Sequence, residues 1–129
     1  MAHLAQNRGR WGEYVAVRHL RSKGLRIMHR NWRHGHGEID IVAMDGETIV
    51  FVEVKTRSSP NMIGGYAAAA APAKRKTLRR TIDAFIGQFG ENVPHWRFDV
   101  VEILTPPRNY FAEQIFHFER VPLDQSAAG

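Results

Sequence analysis

The segment from Glu38 to Lys55 constrains this chain more than any other, because its residues suit a β-hairpin and little else. Asp45-Gly46 divides it, and both residues of that pair accept positive φ, the requirement of a tight two-residue turn. Ile39 to Met44 and Thr48 to Val54 supply the β-branched and aromatic residues that fit a pleated surface. With Asp45-Gly46 as the central pair of the turn, Asp40 falls opposite Phe51 and Glu38 opposite Glu53. Strand side chains alternate with period two, so Glu38, Asp40, Glu53 and Lys55 share one face with Ile49 and Phe51. Ile39, Ile41, Val50, Val52 and Val54 take the other.

Three carboxylates and one ammonium thus gather in a small area. Like charges repel there unless a cation offsets them. An exposed hairpin with weak surface ion pairs would also carry such residues. Large apolar residues on both faces argue instead for burial on both sides, and buried carboxylates require a partner. One or two carboxylates completed by waters and a phosphate suit Mg²⁺, with Mn²⁺ as a substitute. Lys55, two residues beyond Glu53, is placed to orient a water or to neutralise developing charge. Glu13 adds to this, since it is the one acid among residues 1 to 36 and shares a helical stripe with Ala16, Val17 and Leu20.

The net charge of +5 is spread in blocks of alternating sign. Residues 1 to 36 carry +7, residues 37 to 53 carry −5, residues 54 to 82 carry +7 and residues 83 to 129 carry −4. Basic segments on both sides of an acidic one suit a polyanion held by its backbone beside a cation site. Lys74, Arg75, Lys76, Arg79 and Arg80 cluster without an offsetting acid, and Arg57 precedes them; Arg57, Lys74, Lys76 and Arg79 are the expected phosphate contacts. The chain lacks cysteine, which excludes disulfides, thiolate metal sites and cysteine nucleophiles. It also lacks an apolar run long enough for a membrane span, so a cytoplasmic protein with no membrane partner is expected. His34-Gly35-His36 lacks the i, i+4 spacing of a helical zinc site.

Along the chain, residues 6 to 23 predict a helix stopped by Gly24, and 26 to 32 a strand. A turn over His34-Gly35-His36-Gly37 leads to the hairpin. Residues 56 to 71 read as a loop, most flexible at Gly64-Gly65 and running into alanines. Pro72 opens a second helix with Leu78, Ile82, Phe85 and Phe89 at helical spacing. Residues 96 to 104 and 115 to 119 predict strands separated by a break at Pro106-Pro107. The expectation is one mixed α/β domain over residues 1 to 121 with a disordered tail over 122 to 129.

These residues resemble the bacterial YraN-type proteins, an uncharacterised family similar to Holliday junction resolvases of the PD-(D/E)xK nuclease superfamily. The resemblance spans most of residues 8 to 104. It rests on Gly12-Glu13, Asn31-Trp32-Arg33, Gly37-Glu38-Ile39-Asp40, Asp45-Gly46, Phe51 to Arg57, Pro72 with Lys74, and Arg97 to Val101. It implies a restriction-endonuclease-like α-β-β-β-α-β core with a mixed sheet flanked by helices. Asp40 and Glu53 would bind the metal, Lys55 would serve the attacking water, and Glu13 would assist from the helix. The function expected is Mg²⁺-dependent endonucleolytic cleavage of DNA, branched or otherwise structured. The alternatives are a nucleic-acid-binding module without turnover, and a homodimer formed through exposed aromatics.

Overall fold

A computed structural model describes residues 2–66, 71–105 and 113–123, with side chains in the first helix from Gly9 onward. The order is α1 (Ala2–Ser22), β1 (Arg26–His34), β2 (Gly37–Asp45), β3 (Thr48–Arg57), α2 (Pro72–Ile86), β4 (Trp96–Leu104) and β5 (Gln114–Phe118). Short 3₁₀ turns lie at Pro60–Met62 and Gly87–Phe89. The strands form one sheet in the order β1-β2-β3-β4-β5. β3 and β4 run parallel and the other pairs antiparallel, so α2 belongs to the crossover that a parallel pair requires. This is the expected α/β core with one further strand. The break at Pro106-Pro107, the alanines at 67 to 70 and the tail from 124 lie outside the described residues. Among the described residues no helix is long and apolar enough to cross a membrane.

Helix α1 lays Val15, Ala16, Val17 and Leu20 on one face of the sheet, against Ile41, Ala43, Val50, Val52, Val101 and Ile103. It ends in a Schellman motif: the Leu25 amide donates to the Leu20 carbonyl at 3.0 Å and the Gly24 amide to the Arg21 carbonyl at 2.9 Å. Gly24 takes the φ of +89° that this cap needs, and Leu20 and Leu25 close it as an apolar pair in the core. Helix α2 lays Leu78, Ile82 and Phe85 on the opposite face, over Val42, Ile49, Phe51 and Val100. Both faces of the hairpin are therefore buried. Phe51, with no exposed surface, meets Phe85 and Trp96 edge-on with ring centres 5.4 and 5.8 Å apart.

Two glycines set how closely the helices approach. A Cβ on Gly12 would stand 2.5 Å from Thr56 Cγ2, so the α1 backbone rests on the Thr56 side chain of β3. A Cβ on Gly37 would stand 1.8 Å from Thr81 Oγ1, so the start of β2 touches α2. Each glycine precedes an acid: Gly12 lets α1 carry Glu13 close to the sheet, and Gly37 lets α2 lie close to the strand that carries Glu38.

The hairpin differs from expectation in register. Asp45 pairs with Thr48 and Ile41 with Val52, which makes Gly46-Glu47 the central residues of the turn. Positive φ at Gly46 and not at Glu47 is the type II′ pattern, in which only the first position needs glycine. The slip of one residue on each strand preserves which residues share a face, while Asp40 moves out of register with Phe51 and toward Glu53. Ile39 departs from the expected face. It packs on the α2 side with Trp32, because alternation breaks beside Asn31, whose φ is +55°.

Candidate metal and nucleic-acid site

Between β2, β3 and the start of α2 lies an open cavity of about 430 Å³ lined by Glu38, Asp40, Glu53, Tyr66, Lys74 and Thr77 among others. The β2–β3 ladder runs from the turn only as far as Ile41 and Val52. Beyond it the strands part, and Asp40 Oδ2 accepts the Val54 amide at 2.8 Å. One carboxylate oxygen thus replaces the missing ladder bond, and the Asp40 side chain is fixed from the main chain. Glu53 is 9% exposed. Burial and the facing Glu53 push the Asp40 carboxyl up to about 7, against the opposing pulls of the Val54 amide and Lys55. Lys55 Nζ lies 3.4 Å from Glu53 Oε1.

Glu13 stands next to this pair. Burial and the charge of Asp40 raise its carboxyl above the ordinary range, while Asn31 and Arg30 draw it down. With its amide nitrogen toward the carboxylates, Asn31 donates to Glu38 Oε1 at 2.9 Å and to Glu13 Oε1 at 3.0 Å. The left-handed conformation of Asn31 therefore has a use: it ties the helix acid to the strand acid. Sequence reasoning placed Asn31 in a motif without assigning this bridge.

Of the expected phosphate contacts, Lys74 reaches the cavity. Burial and the adjacent Lys55 lower its proton affinity, and Glu53 opposes that. Lys55 and Lys74 both lie over the ring of Tyr66, at 5.6 and 5.1 Å from its centre. Tyr66 is buried, and its hydroxyl has no partner among the described residues. A tyrosine in a glycine-rich loop gave no sequence signal for this platform. Lys76 is exposed on α2, outside the cavity. Arg79 turns away, its guanidinium 5.3 Å from the Trp96 ring centre and 3.1 Å from Asp83. Arg57 is also used elsewhere: its Nε and Nη2 donate to the fully buried Glu102, at 3.2 and 3.0 Å. The Gly64 amide donates to the other Glu102 oxygen, so the loop expected to be most flexible is anchored at that glycine.

A second acidic cluster, which the sequence did not suggest, lies toward the C-terminal end of α1. Asp99, His117 and Glu119 hold their ligating atoms within 4.8 Å of one another. A cation fits there poorly. Asp99 already accepts bonds from Arg97 Nε and Nη2, from the Arg120 amide and from His117 Nε2 at 2.8 Å. Arg97 spans Asp99, Asp45 and Glu119, and so supplies the positive charge itself. Despite burial, the bonds from His117 and Arg97 leave the Asp99 carboxyl below its ordinary range. The two clusters thus shift in opposite directions. Among the described residues Asp40 has no cation in direct contact and Asp99 has Arg97, which makes Asp40 and Glu53 the better pair of hard oxygen ligands. Among the described residues Lys55 is the cation at contact distance from this pair, with Lys74 farther off.

A profile of the uncharacterised protein family UPF0102 matches residues 12–103. Similar chains include a UPF0102 protein of Chlorobium phaeobacteroides (strain BS1), 42% identical over 105 residues, covering 81% of this chain and 82% of the relative. A UPF0102 protein of Streptomyces griseus is 45% identical over 101 residues, covering 78% and 84%. One of Mycobacterium tuberculosis is 42% identical over 103 residues, covering 78% and 80%.

Proposed function

The chain belongs to the uncharacterised protein family UPF0102, the YraN-type family, and from that premise we propose that it is a divalent-metal-dependent endonuclease acting on DNA. The observation that carries this reading is the buried Asp40–Glu53 pair on the wall of an open cavity, short of positive charge, with Lys55 beside Glu53. The resemblance to PD-(D/E)xK nucleases supports the same assignment.

Asp40 would offer the oxygen not engaged with Val54, and Glu53 a carboxylate oxygen facing it. Mg²⁺ or Mn²⁺ held by them supplies Lewis-acid charge for a phosphoryl oxygen. The chain's own groups provide the rest. Lys55 holds a water beside Glu53 and offsets negative charge that grows on the phosphate in the transition state. Lys74 meets the phosphate from the helix side. Glu13, with its raised proton affinity and its tie through Asn31, keeps the outer rim of the carboxylate cluster in place.

Incubating the protein with linear, single-stranded, flapped and four-way DNA, in Mg²⁺, Mn²⁺ or chelator, tests the reading. Cleavage that needs metal and disappears in Asp40→Asn, Glu53→Gln and Lys55→Ala is expected. Binding without cleavage of any substrate would replace the enzyme by a nucleic-acid-binding module.

A further inference from the structure

The side chains of α2 divide around its axis. Arg75, Leu78, Thr81, Ile82 and Phe85 are buried. Lys74 stands at one margin of that buried stripe, on the carboxylate cavity. Arg79 stands at the other margin, on a second open cavity of about 390 Å³ whose walls include Trp96, Phe98, Arg120 and Val121. At 3.6 residues per turn Lys74 and Arg79 are about 140° apart across the buried stripe and about 220° apart the other way round, over the exposed side where Lys76 and Arg80 lie. Lys76 and Arg80 thus place exposed cations on the helix surface between the two cavities, where Asp83, the one acid of α2, is paired with Arg79.

Three arginines line the second cavity beside Trp96; Arg97 is committed to Asp45, Asp99 and Glu119, which leaves the guanidinium groups of Arg79 and Arg120 for a ligand. Arg79 lies over the half-buried Trp96 and is otherwise held by Asp83, in a surface pair whose members are each about half exposed. Such a pair is weak and yields readily to a phosphate. Arg120 is exposed and takes a φ of +54°, a left-handed conformation unfavourable for a residue with a Cβ. The bond from its amide to the buried Asp99 holds it there. No carboxylate pairs with its side chain among the described residues.

We propose that this cavity is a nucleotide subsite for a single nucleic-acid strand. A base takes the place of the Arg79 guanidinium over Trp96; Arg79, released from the ring and from Asp83, and Arg120 take the phosphates on either side of it, and the strand continues over Lys76 and Arg80 to the carboxylate cavity. The subsite rests on the nucleic-acid reading above and adds a strand contact remote from the reacting phosphate. A duplex with a single-stranded arm satisfies both cavities at once.

The test uses Trp11→Phe/Trp32→Phe protein, in which Trp96 is the one remaining tryptophan, titrated with oligothymidylate in chelator while Trp96 emission and oligonucleotide anisotropy are recorded. Saturable quenching is expected, with affinity reduced about tenfold in Arg120→Ala and in Arg79→Ala, the scale of losing one stacked or phosphate-clamped nucleotide. Melting temperatures of both variants should stay near that of the parent. Should the double tryptophan variant fail to fold, Trp96→Phe in the unaltered background must remove the quenching. An oligonucleotide that binds by anisotropy while Trp96 emission and both arginine variants are unaffected would overturn the subsite and leave the nucleic-acid reading standing. No binding by either signal would overturn both. Equal quenching by polyglutamate would make the cavity a general anion surface and also overturn the proposal.

Discussion

The Asp40 carboxylate and the Val54 amide are hydrogen-bonded at 2.8 Å, beyond the last paired residues of their two strands. That one bond holds the fork between β2 and β3 open on the cavity and leaves the second Asp40 oxygen for a ligand. It also makes Asp40→Asn a clean probe, because an asparagine oxygen can still accept from Val54.

The proton affinity of Asp40 gives the variant a defined pH signature. Its folded carboxyl titrates at about 7, above an unfolded value near 3.9. A raised carboxyl lowers stability as pH climbs between those two values, because the unfolded chain releases its proton first, and the loss is complete above the folded value. In chelator, wild type should therefore lose stability relative to Asp40→Asn between about pH 4 and pH 7, by on the order of 1 to 4 kcal/mol. Mg²⁺ should recover part of it for wild type alone. Thermal melts of both proteins across pH measure this, and an Asp40→Asn protein melting well below wild type at pH 8 in chelator would mark Asp40 as a structural partner.

The contact between Gly37 and Thr81 makes Gly37→Ala an overpacking substitution. The new methyl would meet Thr81 Oγ1 and push α2 off β2, at a cost of roughly 1 to 3 kcal/mol. Adding Thr81→Ala should recover most of that loss, since it removes the nearest atom. Denaturant midpoints of the two single variants and the double variant test the coupling; additive losses would contradict it.

Arg97 and Arg57 serve the interior. Arg97→Met leaves Asp99 buried without its cation, and Arg57→Ala does the same to Glu102; each should cost about 3 to 5 kcal/mol. Lys76→Ala should leave the melting temperature unchanged. A melting temperature for Arg57→Ala close to wild type would return Arg57 to the phosphate contacts.

How much of this was legible in the sequence follows from which interactions were local. Alternation placed Asp40, Glu53 and Lys55 together, and a two-residue error in pairing could not undo that, because it preserves parity. The break at Ile39 was hidden, since nothing in the sequence fixed Asn31 in a left-handed conformation. Asp99 and Glu102 read as strand residues of no special kind. Apart from Arg97, two residues from Asp99, their partners are Arg57, Gly64, His117 and the Arg120 amide, all distant along the chain. Arg57 and Arg79 were expected at phosphate from the charge pattern, and only the tertiary structure shows that Arg57 faces Glu102 and that Arg79 lies over Trp96 at a cavity separate from the carboxylates.

Salt should expose the remaining cations. Lys74 and Lys76, if each displaces a condensed counterion, should each lower the slope of log affinity against log salt by about 0.7 to 0.9 when changed to alanine. Arg57→Ala should leave the slope unchanged. Anisotropy titrations at several salt concentrations separate the two outcomes.

The order of assembly of the site is set by its topology. Asp40 and Glu53 meet across a hairpin closed by two residues, a contact that forms in microseconds. Lys74 arrives only when α2 has crossed over and β4 has docked parallel to β3, a pairing distant in sequence and correspondingly slow. During folding the acids are thus assembled before the helix lysine that tempers them, and a divalent cation present then would speed the later step. Pulsed hydrogen exchange, with β2–β3 amides protected ahead of those between β3 and β4, would record that sequence of events.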